Sequence, residues 1–295
     1  MSSLPNLRLS DRLWPVHCEA PKTGESLFHS LPHRERATDP SPAHNGQVKR
    51  ERTEAIVLHT FPARERDKLV VFLTSESGKR RGWAYGARSL KSRFGASLEP
   101  LSKIRLNFVE KENEEVVRIE SAELVRSLFS VHQDLGTSIA ASYIAETVDT
   151  FAQSDDPSEL MYRLLDRVSE ALLHTPRAVA IVTYVEIWTL KIGGIFPSTR
   201  RCIECHETLE RPLRYDTIRG GFVCTNCDDR SIGALPNEVT DGLELLIRLP
   251  VEEFVMASVP DPVLYELRSL ARALRRGFLG HELKSHDILA TVLSG

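Results

Sequence analysis

The sequence lacks a run of about 18 uninterrupted apolar residues, the length a bilayer-spanning helix needs. The nearest approach, residues 178–190, is broken by Glu186. The opening MSSLPNLRLSDRLW has no apolar stretch leading to a small-residue cleavage site, so a secretory leader is not expected. The cytoplasm is the expected compartment. A bulk excess of positive charge is also missing. Thirty-eight Lys and Arg stand against 41 Asp and Glu, a net charge of −3. Any grip on a polyanion must come from a local patch. Phosphate-binding Gly-x-x-x-x-Gly-Lys-[Ser/Thr] and Gly-x-Gly-x-x-Gly loops are absent, as are His-Glu-x-x-His and Gly-x-Ser-x-Gly. His281 and His286 are five apart, on different faces of a helix. No carboxylate pair is marked as catalytic, and an enzyme is not expected. Cysteine is scarce: Cys18, Cys202, Cys205, Cys224 and Cys227.

What is present falls into three parts. Residues 1–51 hold six of the 16 prolines and four of the ten histidines, with no lasting periodicity. They read as a flexible extension, because they bury too little apolar area to offset chain entropy. A wrongly chosen start codon is a second origin for them. Cys18, His29 and His33 are a weak metal-ligand set, since flanking prolines oppose the helix their spacing needs.

Residues 52–127 read as strands. Segments 55–59, 68–74, 81–85, 103–110 and 115–122 are short and rich in β-formers, with turns at Gly78 and at Glu112-Asn113-Glu114. In 103–110, Ile104, Leu106 and Phe108 alternate with Arg105 and Asn107. Five short strands in about seventy residues fit an OB-type barrel.

From residue 128 the period becomes helical, and residues 128–295 form an expected helical domain. Leu135, Ile139 and Tyr143 are spaced by four, as are Leu160, Leu164, Val168 and Leu172. Asp156 and Pro157 are the expected cap and first residue of that second helix. A third helix is expected over 176–192, closed by Gly193-Gly194. Another opens at Asp261-Pro262, places Leu264, Leu267, Leu270, Leu274 and Phe278 on one face, and closes at Gly280. The fold class is therefore α+β: a small front barrel, then helices.

The helical domain carries an insert at about 198–232. Cys202-x2-Cys205 is followed, after 18 residues, by Cys224-x2-Cys227. Two such turns offer four soft thiolates to one tetrahedral Zn²⁺. Four protein ligands leave no open position, so a bound zinc is structural. Tyr215 and Gly220-Gly221-Phe222-Val223 suggest a hairpin that returns the second pair to the first. Reduced metal-free thiols and a redox dithiol are the alternatives. A zinc deaminase is excluded: neither pair follows a proline, and His17-Cys18-Glu19 lies in the extension.

Lys79, Arg80, Arg81, Arg88, Lys91, Arg93, Lys103 and Arg105 fall within 27 residues whose only acid is Glu99. Trp83, Tyr85 and Phe94 are interleaved with them. Cations that neutralise phosphates, with rings that stack on bases, are what single-strand binders use. Lys79, Arg80, Arg81, Arg88, Lys91, Arg93 and Arg105 are the candidate nucleic-acid contacts. A solvated loop, with Trp83 and Tyr85 in the core, is the plainer alternative.

Several segments together resemble the RecO family of bacterial recombination mediators. They are Ala55-Ile56-Val57-Leu58, Asp67-Lys68-Leu69-Val70, Thr74-Ser75-Glu76-Ser77-Gly78, Gly86-Ala87-Arg88-Ser89 and Leu98-Glu99-Pro100-Leu101. Further on come Tyr143-Ile144-Ala145-Glu146, Gly193-Gly194-Ile195-Phe196-Pro197, Gly220-Gly221 before Cys224, and Leu283-Lys284-Ser285. The resemblance covers about residues 52–293. The extension departs from the pattern, while all four paired cysteines are kept. The resemblance implies an N-terminal OB-fold, a helical domain and a zinc finger. It implies binding of single- and double-stranded DNA and annealing of complementary strands. It also implies, with RecR, loading of RecA onto strands coated by single-strand-binding protein (SSB), whose acidic tail docks on the helical domain. A zinc-ribbon accessory factor of transcription or translation is the rival reading.

Overall fold

The computed structural model describes residues 48–89, 91–111, 114–154, 156–175 and 177–293. Cys18, His29, His33 and all but the last four residues of the expected extension lie outside them. Strand β1 spans Val48–Ala63, so it starts four residues before the expected boundary. Its first half pairs with β4 (Lys103–Lys111) and its second half with β2 (Asp67–Thr74). A bulge between Val57 and His59 bends the strand from one partner to the other. β3 (Gly78–Ala84) follows β2, and β5 (Val116–Arg126) runs parallel to β3 and antiparallel to β4. The order β1-β2-β3-β5-β4 returns to β1, which closes the sheet into a barrel.

Val57, Phe72, Phe94, Leu106, Phe108 and Ile119 fill the barrel interior. Gly82 permits the close β3–β5 contact, since a Cβ there would lie 2.7 Å from the Ile119 side chain. On β1 the outward Ile56 and Leu58 are as buried as the inward Ala55 and Val57. Helices α1 (Leu135–Phe151) and α2 (Glu159–His174) pack over that outer face, so the strand reads as unbroken hydrophobicity. Asp134 caps α1 by accepting the Thr137 N–H at 2.9 Å.

The start of α2 differs from expectation. It begins at Glu159 after Ser158, and Asp156 does not cap it. The preceding residues are drawn onto β3, where Ser154 bridges to Gly78 and Lys79. Gly78, with φ +62°, leaves its missing Cβ to the Asp156 carbonyl, which would lie 2.0 Å from it. That tie sets the helix start later than local capping signals suggest.

α3 (Ala178–Ile192) is the helix expected over 176–192. Glu186 does not face water there; it is 2% exposed. It accepts hydrogen bonds from the Tyr143 hydroxyl, from Arg275 Nη1 at 3.1 Å and from Arg268 Nε at 3.1 Å. Burying a carboxylate is costly unless it is paired and hydrogen-bonded in this way. Hairpin strands β6 (Arg214–Asp216) and β7 (Gly221–Val223) follow, then α4 (Asn237–Arg248), α5 (Val251–Met256), α6 (Asp261–Leu279) and α7 (His286–Leu293). Helix α6 opens and closes where expected, with leucines inward. Phe278 leaves that face: it is 61% exposed and stacks on Phe151, ring centroids 6.2 Å apart. No described helix is long and apolar enough to cross a membrane.

Candidate nucleic-acid surface and metal centre

The seven candidate cations separate into two sets. Lys79, Arg80 and Arg105 are already neutralised. Lys79 Nζ lies 3.0 Å from Asp149 of α1. Arg80, 9% exposed, is bound to Glu110 at 2.6 Å, with its guanidinium 5.9 Å from the Phe108 ring centroid. Arg105 reaches Glu123 at 3.1 Å and Glu54 at 3.9 Å. Lys103, 3.1 Å from both Glu54 and Asp166, joins the barrel to α2. Strand alternation and cross-strand acids take these side chains off any shared open surface.

Arg81, Arg88, Lys91 and Arg93 are exposed and form no ion pair among the described residues. On β3 the buried Arg80, Gly82 and Ala84 alternate with Arg81 and Trp83, which keep solvent access, as does Tyr85 just after the strand. That places Trp83 and Tyr85 on the outer face. Phe94 goes the other way, 3% exposed and part of the barrel core. It cannot stack on a base. Instead it anchors the loop after β3, with the Arg93 guanidinium 5.0 Å from its ring centroid.

Three further exposed cations lie beside the end of β3, outside the basic segment 79–105 of the sequence. Arg118 sits opposite Trp83 across the parallel β3–β5 pair, its guanidinium 5.7 Å from the Tyr85 ring centroid. Arg64 and Arg66 occupy the β1–β2 turn, where their carbonyls accept from Arg88 Nη1 at 3.2 Å and the Arg88 N–H at 2.9 Å. All three are exposed and free of ion pairs among the described residues. The alternation of basic residues in Arg64-Glu65-Arg66-Asp67-Lys68 was the available signal.

The four paired cysteines converge. Their sulfurs all lie within 4.8 Å of one another, and Cys205 Sγ is 3.7 Å from Cys224 Sγ. Tetrahedral Zn–S bonds of about 2.3 Å put sulfurs about 3.8 Å apart, so the donor set fits such an ion in chemistry and spacing. The expected hairpin brings the pairs together: Tyr215 is paired with Phe222, and the Ile203 N–H donates to the Phe222 carbonyl at 2.9 Å. Cys202 is 1% exposed, and its Sγ accepts the Cys224 N–H at 3.4 Å. Burial opposes ionisation of Cys202, but the N–H groups of Cys205, Cys224 and Glu204 outweigh it and lower the thiol to about 6. The neighbouring sulfurs of Cys205 and Cys224 push Cys227 up to about 12. Four crowded thiols therefore resist full ionisation unless a cation joins them. His206 is not among the converging donors; at φ +61° its backbone N–H donates to the Cys202 carbonyl at 3.0 Å.

Two family profiles match the chain: "Recombination protein O N terminal" over 48–128 and "Recombination protein O C terminal" over 132–287. Among curated proteins, DNA repair protein RecO of Koribacter versatilis is 32% identical over 73% of this chain and 88% of its own length. RecO of Myxococcus xanthus is 30% identical over 81% of this chain and 96% of its own. RecO of Anaeromyxobacter dehalogenans (strain 2CP-1) is 28% identical over 80% and 92%. The barrel, the helical domain and the matches over both define a DNA repair protein. The chain belongs to the RecO family.

Proposed function

We propose that this protein is a non-enzymatic recombination mediator that binds single- and double-stranded DNA on the front barrel and anneals complementary strands. The observation that carries the reading is that seven cations of the barrel and its loops, Arg64, Arg66, Arg81, Arg88, Lys91, Arg93 and Arg118, are exposed and without ion pairs among the described residues, with Arg64, Arg66 and Arg88 on two turns that hydrogen-bond to each other. The closed order β1-β2-β3-β5-β4 is that of an OB-fold, whose β2–β3 face and adjoining loops bind oligonucleotides in other proteins. Annealing needs no bond hydrolysed. It needs two polyanions brought together with their charge offset and their bases left accessible. Cations distributed along a rim do the first, and the outward Trp83 and Tyr85 are compatible with the second.

The four cysteines hold a structural Zn²⁺ in this reading. When bound, the ion clamps the two Cys-x-x-Cys turns around the β6–β7 hairpin. It supplies charge and rigidity rather than a reactive water, because no fifth donor or open position is needed. Family resemblance supports RecR as the working partner, RecA as the recipient, the acidic SSB tail as a ligand of the helical domain, and the cytoplasmic nucleoid as the setting.

The test is annealing of complementary oligonucleotides precoated with SSB, followed by the fluorescence of one labelled strand. The protein is expected to accelerate duplex formation at catalytic amounts of nothing but itself, without nucleotide or magnesium. No acceleration, or preference for RNA or intact duplex, would turn the reading toward an accessory factor of transcription or translation.

A further inference from the structure

At the cationic end of the barrel two turns meet. Residues 64–66 connect β1 to β2, which opens at Asp67, and residues 85–88 leave β3. The β2–β3 ladder ends at the pair Lys68–Ala84. Beyond it, three other hydrogen bonds continue the connection. The Asp67 carboxylate accepts the Gly86 N–H at 2.9 Å. The Arg66 carbonyl accepts the Arg88 N–H at 2.9 Å, and the Arg64 carbonyl accepts Arg88 Nη1 at 3.2 Å. All donors come from 86–88 and all acceptors from 64–67.

Asp67 is the only side chain among the acceptors. It is a carboxylate flanked in sequence by Arg66 and Lys68 and brought beside the Arg88 turn, yet it forms no ion pair among the described residues. Its oxygen is committed to a backbone N–H instead. The two turns thus bring the backbones of Arg64 and Arg66 against Arg88, and none of the three side chains forms an ion pair among the described residues. Like charges carried on neighbouring turns repel, so bonds between the turns favour their staying together when no polyanion is bound.

We infer that Asp67 is a positioning residue for the DNA surface: by holding the Gly86 N–H it fixes the β1–β2 turn against the post-β3 turn, so that Arg64, Arg66 and Arg88 present one continuous phosphate-binding rim. This rests on the phosphate-binding reading above. Positioning and simple electrostatics predict opposite signs. Removing an acid from a basic patch strengthens its attraction for DNA if the patch keeps its shape. Removing the acceptor lets the turns separate and weakens binding. Asp67→Ala removes both charge and acceptor, whereas Asp67→Asn removes the charge and keeps an oxygen that accepts the same N–H.

The experiment measures affinity of the full chain for a labelled single-stranded oligonucleotide by anisotropy at several salt concentrations, below the melting temperature of every variant. Asp67→Ala is expected to bind at least about threefold more weakly than wild type, with a shallower salt dependence because fewer phosphates are engaged together. Asp67→Asn is expected to bind as tightly as wild type or more tightly. An Asp67→Ala protein that binds as well as wild type or better overturns the inference. So does an Asp67→Asn protein as weak as Asp67→Ala, because the charge and not the acceptor would then matter. Reversal of charge at Arg88, Lys91 and Arg93 separates the two levels. If that triple variant binds normally the DNA surface itself is misplaced, whereas loss there with normal Asp67→Ala binding removes only the positioning role.

Discussion

Glu146 of α1 closes the start of α7 through Ser285, 139 positions further along the chain. One carboxylate oxygen accepts the Lys284 N–H at 2.7 Å; the other accepts the Ser285 N–H at 2.9 Å and also the Ser285 hydroxyl. A helix start leaves N–H groups without partners and carries partial positive charge. A single distant carboxylate answers both needs. It also gives a physical reason for two of the family-like segments, Tyr143-Ile144-Ala145-Glu146 and Leu283-Lys284-Ser285, to occur in one chain: they touch.

That contact predicts an acid-sensitive stability term. Partial burial raises the Glu146 carboxyl, but bonds from Ser285 and Lys284 outweigh it and hold the group below its ordinary 4.5. A carboxylate depressed in the folded state contributes stability above its unfolded value, and that contribution is lost as pH falls through the folded value. Glu146→Ala should therefore cost about 1–2 kcal/mol at pH 7, the low range for charged hydrogen bonds because the site is half-buried. Melting curves of variant and wild type should converge as pH drops below about 4.5. A gap that stays constant from pH 7 to pH 4 would show that the ionised carboxylate is not what holds α7.

The cysteine cluster predicts a local dependence on metal. Cys202 is buried, Cys224 and Cys227 are half-buried and Cys205 is exposed, so the cluster is open to solvent at Cys205. Replacing Cys202 and Cys224 by serine together should bring bound zinc from about one per chain to near none. Melting should begin at lower temperature, and limited proteolysis should open the segment 200–232 first, since it is held by few hydrophobic contacts besides Phe222, Leu213 and Val223. Full zinc content with an unmoved melting curve would remove the metal from the account of this segment.

The barrel was legible because strand formers and turns occur within short stretches of the sequence. Its five strands overlap the expected segments, but β1 begins seven residues earlier, drawn out by pairing of Val48–Glu51 with residues 108–111, β3 begins at Gly78 where a turn was expected, and β5 runs on to Arg126. The helical domain was legible where leucines recur every three or four residues. It was less so at Glu186, which reads as an interruption but is the buried acceptor of Tyr143, Arg268 and Arg275 from two other helices. The same limit applies to the cations. Arg80 and Arg81 are adjacent and chemically alike, yet one is enclosed against Glu110, 30 positions away, while the other faces solvent. Alternation says they face opposite ways; it does not say which way is out, because Gly82 and Ala84 suit either face. Arg118 could not be grouped with Tyr85 until the parallel β3–β5 pairing brought them together.

That division among the cations gives the sharpest test of the DNA surface. Charge reversal of Arg88, Lys91 and Arg93 to Glu loses no ion pair among the described residues, only the exposed bond from Arg88 Nη1 to the Arg64 carbonyl and the contact of Arg93 with the Phe94 ring, so folding should be little affected, which melting curves check. If each engages one phosphate of a single strand, the slope of log affinity against log salt should fall by about 2, at roughly 0.7 per contact, and affinity at moderate salt should drop by at least about tenfold. Arg105→Gln is the matched control. Its guanidinium is already opposed by Glu123 and Glu54 on the far β4–β5 surface, so the loss should leave affinity within about twofold of wild type. Two outcomes would reassign the surface: a triple variant with unchanged slope, or an Arg105 variant as impaired as the triple. Either would take the phosphate contacts away from the loop after β3 that carries Arg88, Lys91 and Arg93.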